Sequence, residues 1–205
     1  MTIYIHQNDI PDDLVFSGKE IAIDTETMGL NIKRDNLCLV QISEGDGNAH
    51  LVKFDINKGY DAPNLKKLLS NDKILKIFHF ARFDVAVIRY YLNVYMNNIF
   101  CTKIASRLSR TYTDFHGLKD LCSELLGVSI SKAQQSSNWG AQELSNAQKK
   151  YAAQDVLYLH ELKDKLTEML KNNDRLTLAN ECFNFMNIRV DLDLNGWSSL
   201  DIFKH

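Results

Sequence analysis

The stretch Ile21-Ala22-Ile23-Asp24-Thr25-Glu26 decides the fold of this 205-residue chain. Three apolar residues running straight into acidic ones read as a strand buried on both faces, the pattern of a central strand in a layered α/β sheet. Side chains two apart on a strand share a face, so Asp24 and Glu26 project together. Two carboxylates at the end of a buried strand are costly to desolvate unless something cationic sits among them.

Outward from this strand the pattern stays α/β. Leu37 to Ile42 reads as a second strand, Gly45-Asp46-Gly47-Asn48 as a hairpin turn and Ala49 to Phe54 as a third strand. Strands joined this closely are expected to be antiparallel. Pro63 fits the first turn of a helix through Leu65, Leu68 and Leu69. Lys73 to Phe78 follows as a strand and Ala81 to Leu92 as a helix with Asp84 near its start. A short strand, Ile99 to Thr102, leads into a helix through Ile104, Ala105 and Leu108. His116-Gly117-Leu118 opens another, which Gly127 ends. Ser145 with Gln148 makes a capping box for one long helix whose Ala152, Val156, Leu159, Leu166 and Leu170 keep a helical period. Helices alternating with strands after an antiparallel start predict a mixed sheet flanked by helices.

On that long helix Tyr151 and Asp155 lie one turn apart on one face. Asp24, Glu26, Asp84 and Asp155 then make four carboxylates without a cysteine or histidine among them, a donor set for hard cations such as Mg²⁺ or Mn²⁺ rather than zinc. Two such ions held about 3.5–4 Å apart support displacement at phosphorus by water.

Composition bounds the alternatives. With 45% hydrophobic and 24% charged residues, two prolines and no linker or repeat, residues 1–205 are expected to form one domain, with a helical or extended tail from about residue 172. No apolar run approaches the roughly 20 residues of a membrane span. The opening Met-Thr-Ile-Tyr-Ile-His-Gln lacks the pattern of a secretion signal. Cys38, Cys101, Cys122 and Cys182 are widely spaced in apolar surroundings, as reduced core thiols are, and a cytoplasmic location is expected. A formal charge of −2 lacks the basic footprint of a protein tracking along long nucleic acid and suits a substrate with few phosphates.

Asp24-Thr25-Glu26, Phe78-His79-Phe80-Ala81-Arg82-Phe83-Asp84 and Tyr151-Ala152-Ala153-Gln154-Asp155 resemble the three motifs of the ribonuclease D and proofreading exonuclease family. The tyrosine four residues before the last aspartate marks the tyrosine-type (DEDDy) branch. The sister branch has a histidine five residues before it, where this chain has Lys150. Cys101 to Ser106, His116 to Lys119 and Lys132 to Trp139 extend the likeness, which covers about Ile21 to Leu162. The resemblance implies a ribonuclease H-like fold and metal-dependent 3′ to 5′ phosphodiester hydrolysis with two divalent cations. Asp24 would bridge both ions, Glu26 and Asp155 complete the site that activates water, Asp84 serve the leaving-group side, and Tyr151 orient the water.

The short length and the ending Gly196 to Phe203 look like the nano-ribonuclease branch, which cleaves dinucleotides and other very short RNA and forms ring-like homo-oligomers. Leu30 matches the leucine that related enzymes wedge between the last two bases. Thr25 and His79 are further candidate substrate contacts. Lys103, Arg107, Lys132 and Gln135 are candidates for a 5′ phosphate, since charge-assisted contacts to a terminal phosphate would measure substrate length. DNA stays open as a substrate beside RNA. Three other readings stand: trimming of longer or structured RNA 3′ ends, for which a basic accessory domain is expected and not seen; an inactive RNA-binding scaffold, which intact acidic positions oppose; and a dinucleotide-cofactor enzyme, for which no Gly-x-Gly-x-x-Gly follows a strand.

Overall fold

The computed structural model describes residues 1–131 and 133–205; Lys132, a candidate phosphate contact, lies outside the described residues. Six strands form one sheet in the order β1-β4-β3-β2-β5-β6. These are β1 (Thr2–Gln7), β2 (Glu20–Thr27), β3 (Leu37–Ser43), β4 (Asn48–Lys53), β5 (Leu75–Phe78) and β6 (Ile99–Cys101). As expected, β2, β3 and β4 pair antiparallel, while β5 and β6 join in parallel, giving the mixed ribonuclease H-like sheet. All seven residues of β3 are buried, as a central strand covered on both faces requires.

Helices cover both faces: α1 (Pro63–Leu69), α2 (Ala81–Leu92), α3 (Thr102–Ser109), α4 (Leu118–Leu121), α5 (Asn146–Leu157), α6 (Leu159–Asn172), α7 (Leu176–Asn184) and α8 (Met186–Leu192). A π turn, Cys122–Leu126, continues α4 and ends on Gly127 at φ 69°, a left-handed position where glycine avoids a Cβ clash. The capping box at α5 is present, with the Ser145 hydroxyl accepting from Gln148 N at 3.2 Å and Ser145 N donating to Gln148 Oε1 at 2.9 Å.

Two elements differ from the sequence reading. Strand β1 was not expected; it pairs parallel to β4 at the sheet edge, and its mostly exposed side chains lack the apolar run that marks a core strand. The single long helix is two, interrupted by a turn at Tyr158 (φ −101°, ψ −4°). Helix α5 packs on β2, β3 and β4, whereas α6 packs on α3 and on β2 and β5, so one straight rod cannot serve both surfaces. Leu159, Leu162, Leu166 and Leu170 of α6 are fully buried. At about 1.5–3 kcal/mol for each buried leucine, that docking outweighs the interruption of one helical turn.

The chain beyond α6 folds back onto the motif that carries Asp84. Arg82 Nε and Nη2 donate to Asp193 at 2.7 and 2.8 Å and Nη2 also to Ser198 O at 2.7 Å. Arg189 Nη2 donates to Asp193 Oδ1 at 2.6 Å and to Trp197 O at 2.6 Å. Burial acts to raise the Asp193 carboxyl, yet the two guanidiniums hold it below the usual carboxylate range. Arg82→Ala is expected to cost about 1.5–3 kcal/mol, since hydrogen bonds to a charged, nearly buried carboxylate are lost. Calorimetry should show the thermal midpoint falling by several degrees. An unchanged midpoint would mean that Arg189 alone satisfies Asp193.

Candidate active site

Three elements deliver the acidic residues to one place. Strand β2 carries Asp24 and Glu26, which its pleat puts on one face, and its pairing with β3 shifts register between Glu26 and Thr27. The first turn of α2 carries Asp84, and α5 carries Tyr151 and Asp155 on one face. Carboxylate oxygens of Asp24, Glu26 and Asp155 lie within 4.8 Å of one another. Asp84 is 3% exposed, and its Oδ1 accepts from the Thr25 hydroxyl at 2.7 Å. The Thr25 side chain thus serves a neighbouring acid, and the residue also borders the cleft.

Such a cluster resists ionisation. Burial, then the charges of Asp24, Asp155 and Asp84, push the Glu26 carboxyl up to about 10. Burial likewise raises Asp24 to about 7 against a weaker opposing backbone hydrogen bond at Thr25. Asp84 and Asp155 are both raised by burial and then by the Asp24 charge. The Tyr151 hydroxyl is pushed up by burial and by Asp155, Glu26 and Asp24, so the phenol keeps its proton at neutral pH. A partly buried, all-oxygen, mutually repelling donor set fits hard divalent cations, which remove the repulsion and need no histidine or thiolate.

Around the acids lies a cleft of about 330 Å³ bordered by Thr25, His79, Phe80, Lys103, Lys119 and Gln135, among others. The Thr102 hydroxyl donates its one proton to Phe78 O at 3.1 Å, so at its 2.9 Å contact with His79 Nδ1 it must accept. The proton of His79 therefore sits on Nδ1. Thr25, His79, Lys103 and Gln135, the candidate substrate contacts, line the same cleft as the acidic cluster.

Leu30 and Arg107 border adjoining cavities instead. Leu30, 85% exposed, edges a cavity of about 700 Å³ shared with Phe80, Arg82 and Phe83. Its loop is firmly built: Asp35 accepts from Asn31 N at 2.9 Å and from Arg34 Nε at 2.6 Å, and a Cβ on Gly29 would collide with the Asp35 carboxylate. Arg107 lines a third cavity, of about 430 Å³, with Phe80, Lys103 and Phe185. Trp139 is buried, its ring 6.0 Å from that of Tyr151, so it packs behind the tyrosine.

Sequence reasoning missed Gln41, Lys119 and Phe80. Gln41 is fully buried opposite Asp24 in the β2–β3 ladder and donates to Asp24 Oδ2 at 3.3 Å; a lone amide inside an apolar strand was the available signal. Lys119 sits in the His116-Gly117-Leu118-Lys119 stretch, and Phe80 inside the motif leading to Asp84.

Comparison with known proteins agrees with this geometry. The family model described as 3′-5′ exonuclease matches residues 3–171. Ribonuclease D of Gluconacetobacter diazotrophicus is 34% identical over 157 residues, covering 76% of this chain and 39% of its own length. The chain spans less than half the length of the curated relatives it matches. Brucella melitensis NrnC with bound Mg²⁺ is 53% identical at a TM-score of 0.95, with 100% of both chains covered. The same protein bound to pGG is 54% identical at 0.96, covering 100% of this chain and 99% of that one. With the acidic motifs gathered by the expected fold, and a family model matched across most of its length, this chain belongs to the 3′-5′ exonuclease family, in its ribonuclease D-like part.

Proposed function

We propose that this protein is a 3′ to 5′ exoribonuclease that hydrolyses very short RNA, dinucleotides included, to nucleoside 5′-monophosphates. The observation that carries this reading is the end-to-end similarity, 54% identical at a TM-score of 0.96, to a protein whose structure holds pGG. The small volume of the cleft, about 330 Å³, and the net charge of −2 support a substrate with few phosphates. Four free cysteines, three of them buried, suit a reducing, cytoplasmic setting, and among the described residues no helix is long and apolar enough to cross a membrane.

Asp24, Glu26, Asp84 and Asp155 would hold two divalent cations, Mg²⁺ or Mn²⁺, which when bound acidify water and neutralise charge growing on the phosphate. Asp24, central to the cluster, would face both ions, Glu26 and Asp155 the water side, and Asp84, fixed by Thr25, the leaving-group side. Water attacks phosphorus and gives up a proton to solvent, the bond from phosphorus to the 3′ oxygen of the preceding nucleotide breaks, and that oxygen takes a proton from solvent and leaves as a hydroxyl. Tyr151 keeps its proton, so it orients water through its hydroxyl rather than acting as a base. Tyr151→Phe is expected to lower kcat by about 10²-fold with KM little changed, because only an orienting hydroxyl is lost. Raised KM at constant kcat would instead make Tyr151 a binding residue.

The exposed Phe185, Ile188, Trp197, Leu200, Ile202 and Phe203 near the chain end support a homo-oligomer, whereas Phe183 is buried against Phe100 at a ring separation of 4.7 Å. Light scattering at micromolar concentration reads the mass.

The deciding experiment incubates the protein and Mg²⁺ or Mn²⁺ with end-labelled RNA and DNA from two to about twenty nucleotides and resolves products over time. Dinucleotides should be cleaved at least as efficiently as longer RNA, with a shallow salt dependence because few counterions are released. Processive decay of long RNA with dinucleotides accumulating would replace this reading by trimming of RNA 3′ ends.

A further inference from the structure

Phe80 occupies the left-handed region at φ 70°, ψ 45°. The other non-glycine residues with positive φ among the described residues are Asn8, Asn93, Asn98 and Asp174, the types whose short polar side chains tolerate that conformation. Phe80 also precedes the first residue of α2, and no side chain caps that helix end. Asparagine would relieve the backbone, and its short polar side chain is of the type that caps helix ends. Phenylalanine does neither, so the reason for it lies in the ring.

The ring is no core element. Phe80 is 43% exposed and borders all three cavities: the carboxylate cleft, the cavity edged by Leu30, and the one lined by Arg107. Lys103 Nζ lies 4.5 Å from the ring centroid, a cation held against an aromatic face at the mouth of a phosphate-handling site. An exposed aromatic ring beside a phosphate site offers what a nucleobase face recognises.

We propose that Phe80 is a base-stacking residue whose ring receives a substrate nucleobase where the carboxylate cleft opens into the cavity edged by Leu30. This rests on the reading that the cleft takes a short oligonucleotide. The turn from β5 into α2 sets both ends of the device: it swings Asp84 into the cluster and turns the Phe80 ring outward beside it. Strain at an active-site residue is then the cost of aiming the ring.

The test uses the full chain with Mg²⁺, a 5′-phosphorylated dinucleotide and two analogues, each lacking one base. On the intact dinucleotide Phe80→Leu and Phe80→Asn should raise KM about 10- to 100-fold with kcat little changed, and Phe80→Tyr, which keeps the ring, should restore KM. For the wild type, one of the two analogues should itself show the raised KM, and on that analogue Phe80→Leu should add nothing. This wild-type comparison stands even where a variant fails to fold. A fall in kcat at constant KM, or an equal penalty on all three substrates, overturns the proposal and makes Phe80 a support for Asp84. Failure of the short-RNA reading shows separately, in the wild-type length profile, and the Phe80 ratios are then read on the terminal nucleotide of longer RNA.

Discussion

Asp155→Asn, and separately Asp24→Asn, should reduce phosphodiester hydrolysis by on the order of 10³-fold in saturating Mg²⁺ while the fold is kept. Each substitution removes a charged oxygen from a cluster whose members lie within 4.8 Å of one another, and the amide that replaces it cannot balance a divalent charge. Shape is conserved, so circular dichroism should be unchanged. The metal-free variants should even gain stability at neutral and higher pH, because one of four mutually repelling acids is gone. Near wild-type turnover by either purified variant in excess Mg²⁺ would remove that residue from the proposed metal site.

The second large effect is a pH-dependent stabilisation by Mg²⁺. Burial raises Asp24 to about 7 and, with neighbouring carboxylates, Glu26 to about 10, whereas both ionise near pH 4 once unfolded. A carboxyl whose folded value is raised lends its full stability at low pH and loses it as pH climbs toward that folded value. Between pH 5 and 7 the metal-free folded protein keeps protons that the unfolded chain has released. Each retained proton costs about 1.4 kcal/mol per pH unit, equivalent to about 3–5 °C of thermal midpoint in a domain of this size. His6, His50, His116 and His160, all held below the ordinary imidazole value chiefly by burial, shift stability the other way near neutrality. The clean observable is therefore a difference. The midpoint of metal-free wild type minus that of Asp24→Asn should fall between pH 5 and pH 8, and Mg²⁺ should raise the wild-type midpoint more at pH 8 than at pH 5. EDTA should reverse the gain. An equal Mg²⁺ effect at both pH values would show that the cluster does not hold the ion.

Much of this molecule could be read from its residues alone. The apolar approach to Asp24 fixes a central strand, and the two-residue and four-residue spacings put Asp24 with Glu26 and Tyr151 with Asp155 whatever the surroundings, because strand pleat and helix pitch are local geometry. Ser145 and Gln148 announce the start of α5 for the same reason, as both partners of the cap lie within one turn. Tertiary structure decided what local geometry cannot. Thr25 and Asp84, 59 residues apart, meet only because β2 and β5 are neighbours in the sheet. Gln41 reaches Asp24 through strand register, and Tyr158 breaks a continuous helical period because two different surfaces must be covered. Strand β1 has too little buried face to signal itself, and Phe80 is left-handed against its own preference. In each case the deciding interaction is between elements distant in sequence, and a pattern of neighbours carries no record of what the chain packs against.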